Sequence, residues 1–361
     1  MTERAYNFAA GPAQMPEPVL MRAQAELLNW HGCGMSVMEM SHRGSQFKEI
    51  HASAKESVKR LLGVPDTHEV LFLQGGATGQ FAAVPLNFMA DTGACYAVTG
   101  NFSGIAAKEA AKYGPVTTAF DGKPENFTRI PGQDELKINS DASYFHYCAN
   151  NTIFGTAWDY VPETGSVPLV CDMSSEIMSH PVDVSKYALI YAGAQKNMSP
   201  AGLTVVIVDK AMTGRERADT PQILNYKLMV EKDSMLNTPP CWCIYMLGLV
   251  LDWVEAEGGV AAMDERRRER SGLIYEVLDN SKLYKPHAEP GSRSCMNVTF
   301  RTGSEELDAE FCKGAAARGL LNVKGHRLTG GMRASLYNAM PLEGAKALAE
   351  YMKDFEVAHH V

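Results

Sequence analysis

The sequence predicts an α/β fold with a large domain on a mostly parallel sheet and a smaller α/β domain at the carboxyl end. Three observations carry this. Short apolar runs recur, most of them bounded by Gly, Pro, Asn or Asp. Helix-like stretches lie between several of them, an alternation that favours parallel strands joined by crossovers. An apolar helical stretch ending LDWVEAE then meets Gly258-Gly259, a plausible hinge.

In chain order, NFAAGPAQMP is rich in small residues and reads as a loop. PEPVLMRAQAELLNW carries apolar residues at helical spacing, with prolines suited to a helix entry. HEVLFLQ (68–74) reads as a buried strand, and GGATGQFAAVPLNFM as a glycine loop opening a helix. ACYAVTG, ASYFHYC, SVPLVCDM, YALIYAG and LTVVIV read as further strands, and SGIAAKEAAKYG as a helix. Beyond residue 258, MDERRRERSGLIYEVL, SEELDAEFCKGAAARG and PLEGAKALAEYMKDF are helical, while SCMNVTFRT and MRASLYNAM are strand-like. The expected division is an N-terminal arm over 1–15, a large domain over 16–257 and a small domain over 258–361.

A chain of 361 residues is long enough for two domains. Its net charge of −8 argues against general nucleic-acid binding, which needs a basic face. No charged-then-apolar signal peptide opens it, and the richest apolar run, CWCIYMLGLVLDWV, is too short to span a bilayer. Eight cysteines without CxxC pairs make a disulfide framework or a metal site improbable. The expectation is a cytoplasmic protein with reduced thiols, no metal and no membrane partner.

YALIYAGAQKNMSPAG (187–202) places Lys196 just past an apolar run, among residues nearly free of bulk. A lone lysine there usually only snorkels to water. Upstream, however, VPLV ends in Cys171 and Asp172. An acid and a lysine at the carboxyl ends of two strands sit where open α/β sheets place ligands. These are the groups pyridoxal phosphate needs most: an amine to form a Schiff base and a carboxylate to keep the ring nitrogen protonated. Asp172 also reads as a cap for the SSE that follows. Gly75-Gly76-Ala77-Thr78-Gly79, after a strand and before a helix, supplies free N–H groups for a phosphate. A dinucleotide site fits less well, because Ala82 stands where the third glycine belongs and no acid follows at the required spacing.

NFAAGPA, MEMSHRG (38–44), GGATGQFAAVPLN, CDMSSEIMS, YAGAQKNMSPAG, LNTPP (236–240) and KGHRLTGGMRASLYNAM occur together and in order over essentially the whole chain. In this the sequence closely resembles the phosphoserine aminotransferase family. The resemblance implies a fold-type I pyridoxal-phosphate transferase, a homodimer with active sites at the subunit interface, and a ping-pong reaction. L-Glutamate and 3-phosphohydroxypyruvate would give 2-oxoglutarate and O-phospho-L-serine, in serine biosynthesis. Lys196 would be the Schiff-base lysine and Asp172 the partner of the ring nitrogen. Ala77, Thr78 and Gln195 would hold the phosphate, Thr152 would touch the hydroxyl side of the cofactor, and Asn237 and Thr238 would reach the phosphate from the neighbouring subunit. Phe102 stands where members commonly carry tryptophan; a phenyl ring still stacks on a pyridine, but the indole N–H is lost. Thr78 replaces an arginine of some members and a serine of others.

Both amino acids of that reaction are anionic at two ends, which calls for arginine forks at two fixed places. By resemblance Arg333 would hold the α-carboxylate, and Arg43 and Arg327, with His42 and His326, the distal anion. The run DERRRER (264–270) reads instead as solvated surface charge. Two rival readings fit the residues less well. A cysteine desulfurase or other lyase of the same fold would need a mobile cysteine, whereas these cysteines lie in apolar surroundings. A non-catalytic binder would not need the Lys196 and Asp172 pair.

Overall fold

The computed structural model describes residues 4–359; the first three residues of the expected arm and the last two of the expected small domain lie outside the described residues. A seven-stranded sheet forms the larger part. Its strands are β1 (His68–Leu73), β2 (Ala94–Val98), β3 (Val116–Asp121), β4 (Phe145–Cys148), β5 (Leu169–Asp172), β6 (Leu189–Gly193) and β7 (Thr204–Asp209). The order is β1-β7-β6-β5-β4-β2-β3, and only β7 runs against its neighbours. The carboxyl ends of β1, β2, β4, β5 and β6 therefore share one edge.

The strands are continuous apolar runs because helices cover both faces. Val70, Phe72, Cys171, Ile190 and Ile207 point to one core, with the helices α1 (Glu17–Glu26), α2 (Ser45–Leu62) and α6 (Cys241–Ala256). Leu71, Val170, Leu189 and Val206 point the other way, towards α3 (Gly76–Phe88), α4 (Asn101–Ala110) and α5 (Tyr226–Glu231). In α2, Phe47, Ile50, Ala54, Val58 and Leu62 make the buried stripe. Each of its larger apolar side chains contributes roughly 1.5–3 kcal/mol. The sequence reading does not anticipate α2 or the half-exposed edge strand β3.

Past α6, Gly258 and Gly259 have φ of 101° and 74°, a left-handed turn that favours glycine. A Cβ on Gly258 would also stand 2.9 Å from that of Ala262. The long helix α7 (Gly259–Asn280) starts against the first core through Met263 and ends in a second one through Ile274, Val277 and Leu278. That second core is closed by α8 (Glu305–Ala317), α9 (Leu342–Ala358) and an antiparallel sheet of β8 (Lys285–Pro286), β9 (Asn297–Arg301) and β10 (Met332–Ser335). Phe8, fully buried, belongs to it, and Tyr6–Asn7 pairs in parallel with Leu320–Leu321. The N-terminal arm is thus stitched to the carboxyl-terminal core.

One expectation is corrected here. Arg270, in the run read as solvated charge, is 3% exposed. Its Nη1 donates to the carbonyls of Asn338 and Met340, at 2.9 and 2.7 Å, ahead of α9. Burial pushes its pKa down to about 10. The rest of the run behaves as surface charge: Arg266 pairs with Glu257, and Arg267 and Arg268 with Asp264.

Candidate active site

A cavity of about 300 Å³ opens at the shared edge of the strand ends. β5 ends in Asp172, and the turn after β6 carries Gln195 and Lys196. β4 leads to Asn150 and Thr152, while β1 and β2 lead into the first turns of α3 and α4, which bring Ala77, Thr78 and Phe102. From the other core come His326 and Arg333, and from the arm Ala10 and Gly11. A larger cleft, about 580 Å³, lies between the arm and the starts of α7 and α9, but no lysine lines it and its arginines face four glutamates. Of the two, only the smaller is lined by a lysine.

Lys196 Nζ donates to Thr152 Oγ1 at 2.8 Å and stands 5.8 Å from the centre of the Phe102 ring. Gly11, at φ 127°, passes so close that a Cβ there would meet Lys196 Cγ at 3.2 Å. The arm is fixed beside it by a bond from the Ala13 N–H to the Gln195 carbonyl, 2.9 Å. Asp172 is buried and accepts from the Ser174 N–H at 2.9 Å, so it does cap the turn, as well as facing the cavity. Burial pushes its carboxyl above the usual range, partly offset by hydrogen bonds from Ser174 and by the Lys196 cation. Among the described residues Asp172 and Lys196 form no ion pair.

Gly75 and Gly76, with φ of 94° and 64°, turn the chain into α3 so that the first N–H groups of a thirteen-residue helix face the cavity. Arg333 Nη1 donates to the Thr152 carbonyl at 3.2 Å, while its buried Nε has no partner among the described residues. Desolvation lowers its pKa. His326 accepts the Leu328 N–H on Nδ1 at 3.2 Å; burial first, then Arg333 and Arg327, lower its pKa.

These features fit pyridoxal phosphate. An amine and a buried carboxylate face one cavity without touching, an aromatic ring flanks the amine, and a helix N-terminus offers N–H groups to a phosphate. A half-buried guanidinium, its Nε without a partner among the described residues, faces the same space.

Five of the expected residues do not line this cavity. Arg43, Arg327, Asn237 and Thr238 are exposed and His42 half-buried. Arg43 Nε approaches His42 Nε2 at 3.4 Å, and Asn237 Nδ2 donates to Gln74 Oε1 at 3.1 Å. Conversely, Gly11, Cys148, Asn150, Ser174 and Ser175 line it without having been singled out. For Gly11, Ser174 and Ser175 the signal was the small residues of NFAAGPA and the serines of CDMSSE; Cys148 and Asn150 lie in YCANNT, just past an apolar run.

The class-V aminotransferase sequence model matches residues 5–348. Phosphoserine aminotransferase of Pseudomonas fluorescens (strain SBW25) is 52% identical over 360 residues, covering 99% of this chain and 100% of that one. The enzyme of Pseudomonas aeruginosa (strain LESB58) is 51% identical with the same coverage. The structure of phosphoserine aminotransferase from Bacillus circulans subsp. alkalophilus superposes with a TM-score of 0.97 at 43% identity, over 99% of this chain and 100% of that one. The pyridoxal-phosphate-bound enzyme of Trichomonas vaginalis gives 0.93 at 39%, over 97% and 100%. With the cavity and its lysine, these likenesses place the chain: it belongs to the class-V aminotransferases, and within them to the phosphoserine aminotransferase family.

Proposed function

We propose that the protein transfers the amino group of L-glutamate to 3-phosphohydroxypyruvate, giving O-phospho-L-serine and 2-oxoglutarate in serine biosynthesis. The observation that carries this is the convergence of Lys196, Asp172 and Arg333 on one cavity, in a chain about half identical to enzymes of that name. Bound there, pyridoxal phosphate supplies a carbonyl that condenses with amines and a ring that accepts the electron pair left at the α-carbon.

The chain does the rest. Lys196 Nζ, oriented by the Thr152 hydroxyl, would take the proton from the α-carbon and return it two bonds away, on the far side of the amino nitrogen. Asp172 holds the proton on the ring nitrogen, and Phe102 stacks on the ring. Ala77, Thr78 and Gln195 grip the phosphate. Arg333, already tethered to the Thr152 carbonyl, receives the α-carboxylate of either amino acid with its free donors. Arg43 and Arg327, with His42 and His326, take the distal carboxylate or phosphate.

The protein works as a homodimer in this reading. His42, Arg43, Asn237 and Thr238 lie outside the cavity of their own chain, which supports their serving the cavity of a second copy. The turn at Gly258–Gly259 divides a large domain from a small one, and eight free cysteines suit the cytoplasm.

A spectral half-reaction tests the function. Glutamate added to cofactor-loaded protein should bleach the visible band of the lysine-bound cofactor, and 3-phosphohydroxypyruvate should restore it. Bleaching without restoration would reject this acceptor, and absence of a lysine-linked band would reject the enzyme class.

A further inference from the structure

We propose that Asn197 and Asn338, braced by Arg270, form a latch behind the cavity that holds Lys196 in register with Arg333 for the transfer of the α-proton. This deepens the roles given above to Lys196 and Arg333 and rests on them.

The base and the carboxylate fork come from different sheets. Lys196 sits on the turn after β6, and Arg333 on β10. On the cavity side both lean on one residue: Lys196 Nζ donates to the Thr152 hydroxyl, and Arg333 Nη1 to the Thr152 carbonyl. The first of these bonds cannot last through turnover, because Nζ must leave Thr152 to carry the proton. Something else must keep the two groups in place.

The chain beside each of them supplies it. Asn197 directly follows Lys196, and Asn338 stands five residues after Arg333. The Asn338 N–H donates to Asn197 Oδ1 at 3.0 Å, and Asn197 Nδ2 donates to the Ile177 carbonyl at 2.9 Å. Asn338 Nδ2 donates to the Met178 carbonyl at 2.8 Å. Ile177 and Met178 belong to the loop that follows Asp172. The segments that carry Asp172, Lys196 and Arg333 therefore meet at two asparagines. Met178 has a φ of 63°, which a bulky side chain rarely adopts, and the two amides take the carbonyls on either side of it.

Each partner is a backbone group of fixed polarity. An N–H only donates and a carbonyl only accepts, so the Asn197 amide has one orientation. Asparagine offers both an acceptor and a donor on one short planar group; aspartate would lack the donor and leucine both. Asn197 and Asn338 are 6% and 3% exposed and do not line the cavity, so a substrate there leaves these bonds alone. Arg270 braces the latch from α7, its Nη1 holding the carbonyls of Asn338 and Met340. Its Nε and Nη2 are buried without a partner among the described residues. A buried guanidinium with no carboxylate bonded to it is a poor stabiliser, which agrees with a geometric task. All three are positioning residues: they act through Lys196 and Arg333.

The experiment follows the glutamate half-reaction of cofactor-loaded protein, with ordinary glutamate and with glutamate deuterated at the α-carbon. It compares Asn197→Ala, Arg270→Met and Arg270→Lys with the unaltered enzyme, each rate taken per loaded subunit. Misplacing a reacting group by about 1 Å costs on the order of a hundredfold, so Asn197→Ala should slow the half-reaction by between about tenfold and a hundredfold. Its deuterium isotope effect should rise as proton transfer becomes the slow step, which a loss of folded protein alone would not cause. Arg270→Met should change both in the same direction. Arg270→Lys, whose ammonium can donate to both carbonyls, should recover most of the loss. Because both residues serve one latch, the double variant of Asn197→Ala and Arg270→Met should be little worse than Asn197→Ala alone. A full rate or an unchanged isotope effect in Asn197→Ala, or fully additive losses, would overturn the latch. Should these variants fail to fold, amide exchange in the unaltered protein decides. A slowly exchanging Asn338 N–H supports the latch, and one that exchanges as fast as an exposed loop refutes it. Failure of this inference stays distinct from failure of the function, because the unaltered enzyme would still show its lysine-linked band.

Discussion

The two ends of the proposed site are built differently. The cofactor end rests on strand termini and helix starts of one chain: Ala77, Thr78, Phe102, Thr152, Asp172, Gln195 and Lys196 all line one cavity. The distal-anion end rests on exposed loops: Arg43, Arg327 and the LNTPP stretch stand away from the cavity, and only His326 reaches it. Reactive groups that must meet a ring within tenths of an ångström sit on the rigid sheet edge. Groups that must serve a carboxylate in one half-reaction and a phosphate in the other sit on loops. The first end is complete within one chain; in the proposed homodimer, the second is where another copy would contribute.

Removing the chemistry should outweigh any change at the rim. Lys196→Ala leaves the cavity and the N–H groups of α3, so cofactor should still bind without a covalent link, while turnover falls by about a thousandfold or more. Steady-state rates and the visible spectrum check this, and retained activity would break the assignment. Arg333→Ala comes next. It removes a half-buried fork tethered to the backbone beside Lys196, and kcat/KM should fall about a hundredfold for glutamate and for the keto acid alike. A defect confined to one substrate would move Arg333 from the shared carboxylate to a specificity role.

The rim gives a smaller loss but a sharper test of the contrast. Arg43→Ala should cost about tenfold in kcat/KM, typical of an exposed charge-assisted contact. If Arg43 serves the neighbouring cavity, a mixed dimer of Lys196→Ala and Arg43→Ala chains regains one intact site. Equal mixing and random exchange should then recover about a quarter of the unaltered activity. If Arg43 serves its own chain, both sites of the mixed dimer are damaged and mixing restores nothing. Activity measured before and after subunit exchange separates the two.

The same contrast explains what could be read from the chain. Buried parallel strands are legible because helices on both faces demand an unbroken apolar run, so Asp172 and Lys196 announce themselves as polar residues at the tips of such runs. β3 was missed because it is an edge strand: Thr117 and Thr118 are exposed, and VTTAFD has no apolar face to declare. The helix α2 is legible in the spacing of Phe47, Ile50, Ala54 and Val58, a buried stripe broken by polar residues on the outer face. Arg270 was beyond local reading. The carbonyls that bury it come from Asn338 and Met340, sixty-eight and seventy residues away, and nothing in DERRRER separates it from Arg268. Gly11 and Lys196, far apart in the sequence, pass so close that a Cβ on Gly11 would meet the lysine at 3.2 Å, an approach that only the folded chain creates.

The smallest effect expected concerns stability and has the opposite sign to function. Burial raises the Asp172 carboxyl above its ordinary value. A group of this kind favours the fold below its unfolded pKa, and that contribution is lost as pH climbs towards the raised, folded value. At neutral pH, therefore, the ionised carboxylate in the cofactor-free protein is a liability, and only a protonated ring nitrogen answers it fully. Asp172→Asn keeps an acceptor for the Ser174 N–H and removes the charge. In the cofactor-free protein it should raise the melting temperature by a few degrees, and the gain should vanish at acid pH, where the native carboxyl is itself protonated. In the loaded protein the order should reverse, since asparagine cannot hold the ring proton. Calorimetry of both forms at neutral and acid pH measures all four values. A loss of stability in the cofactor-free Asp172→Asn protein would mean that the cradle is strained by something other than its charge.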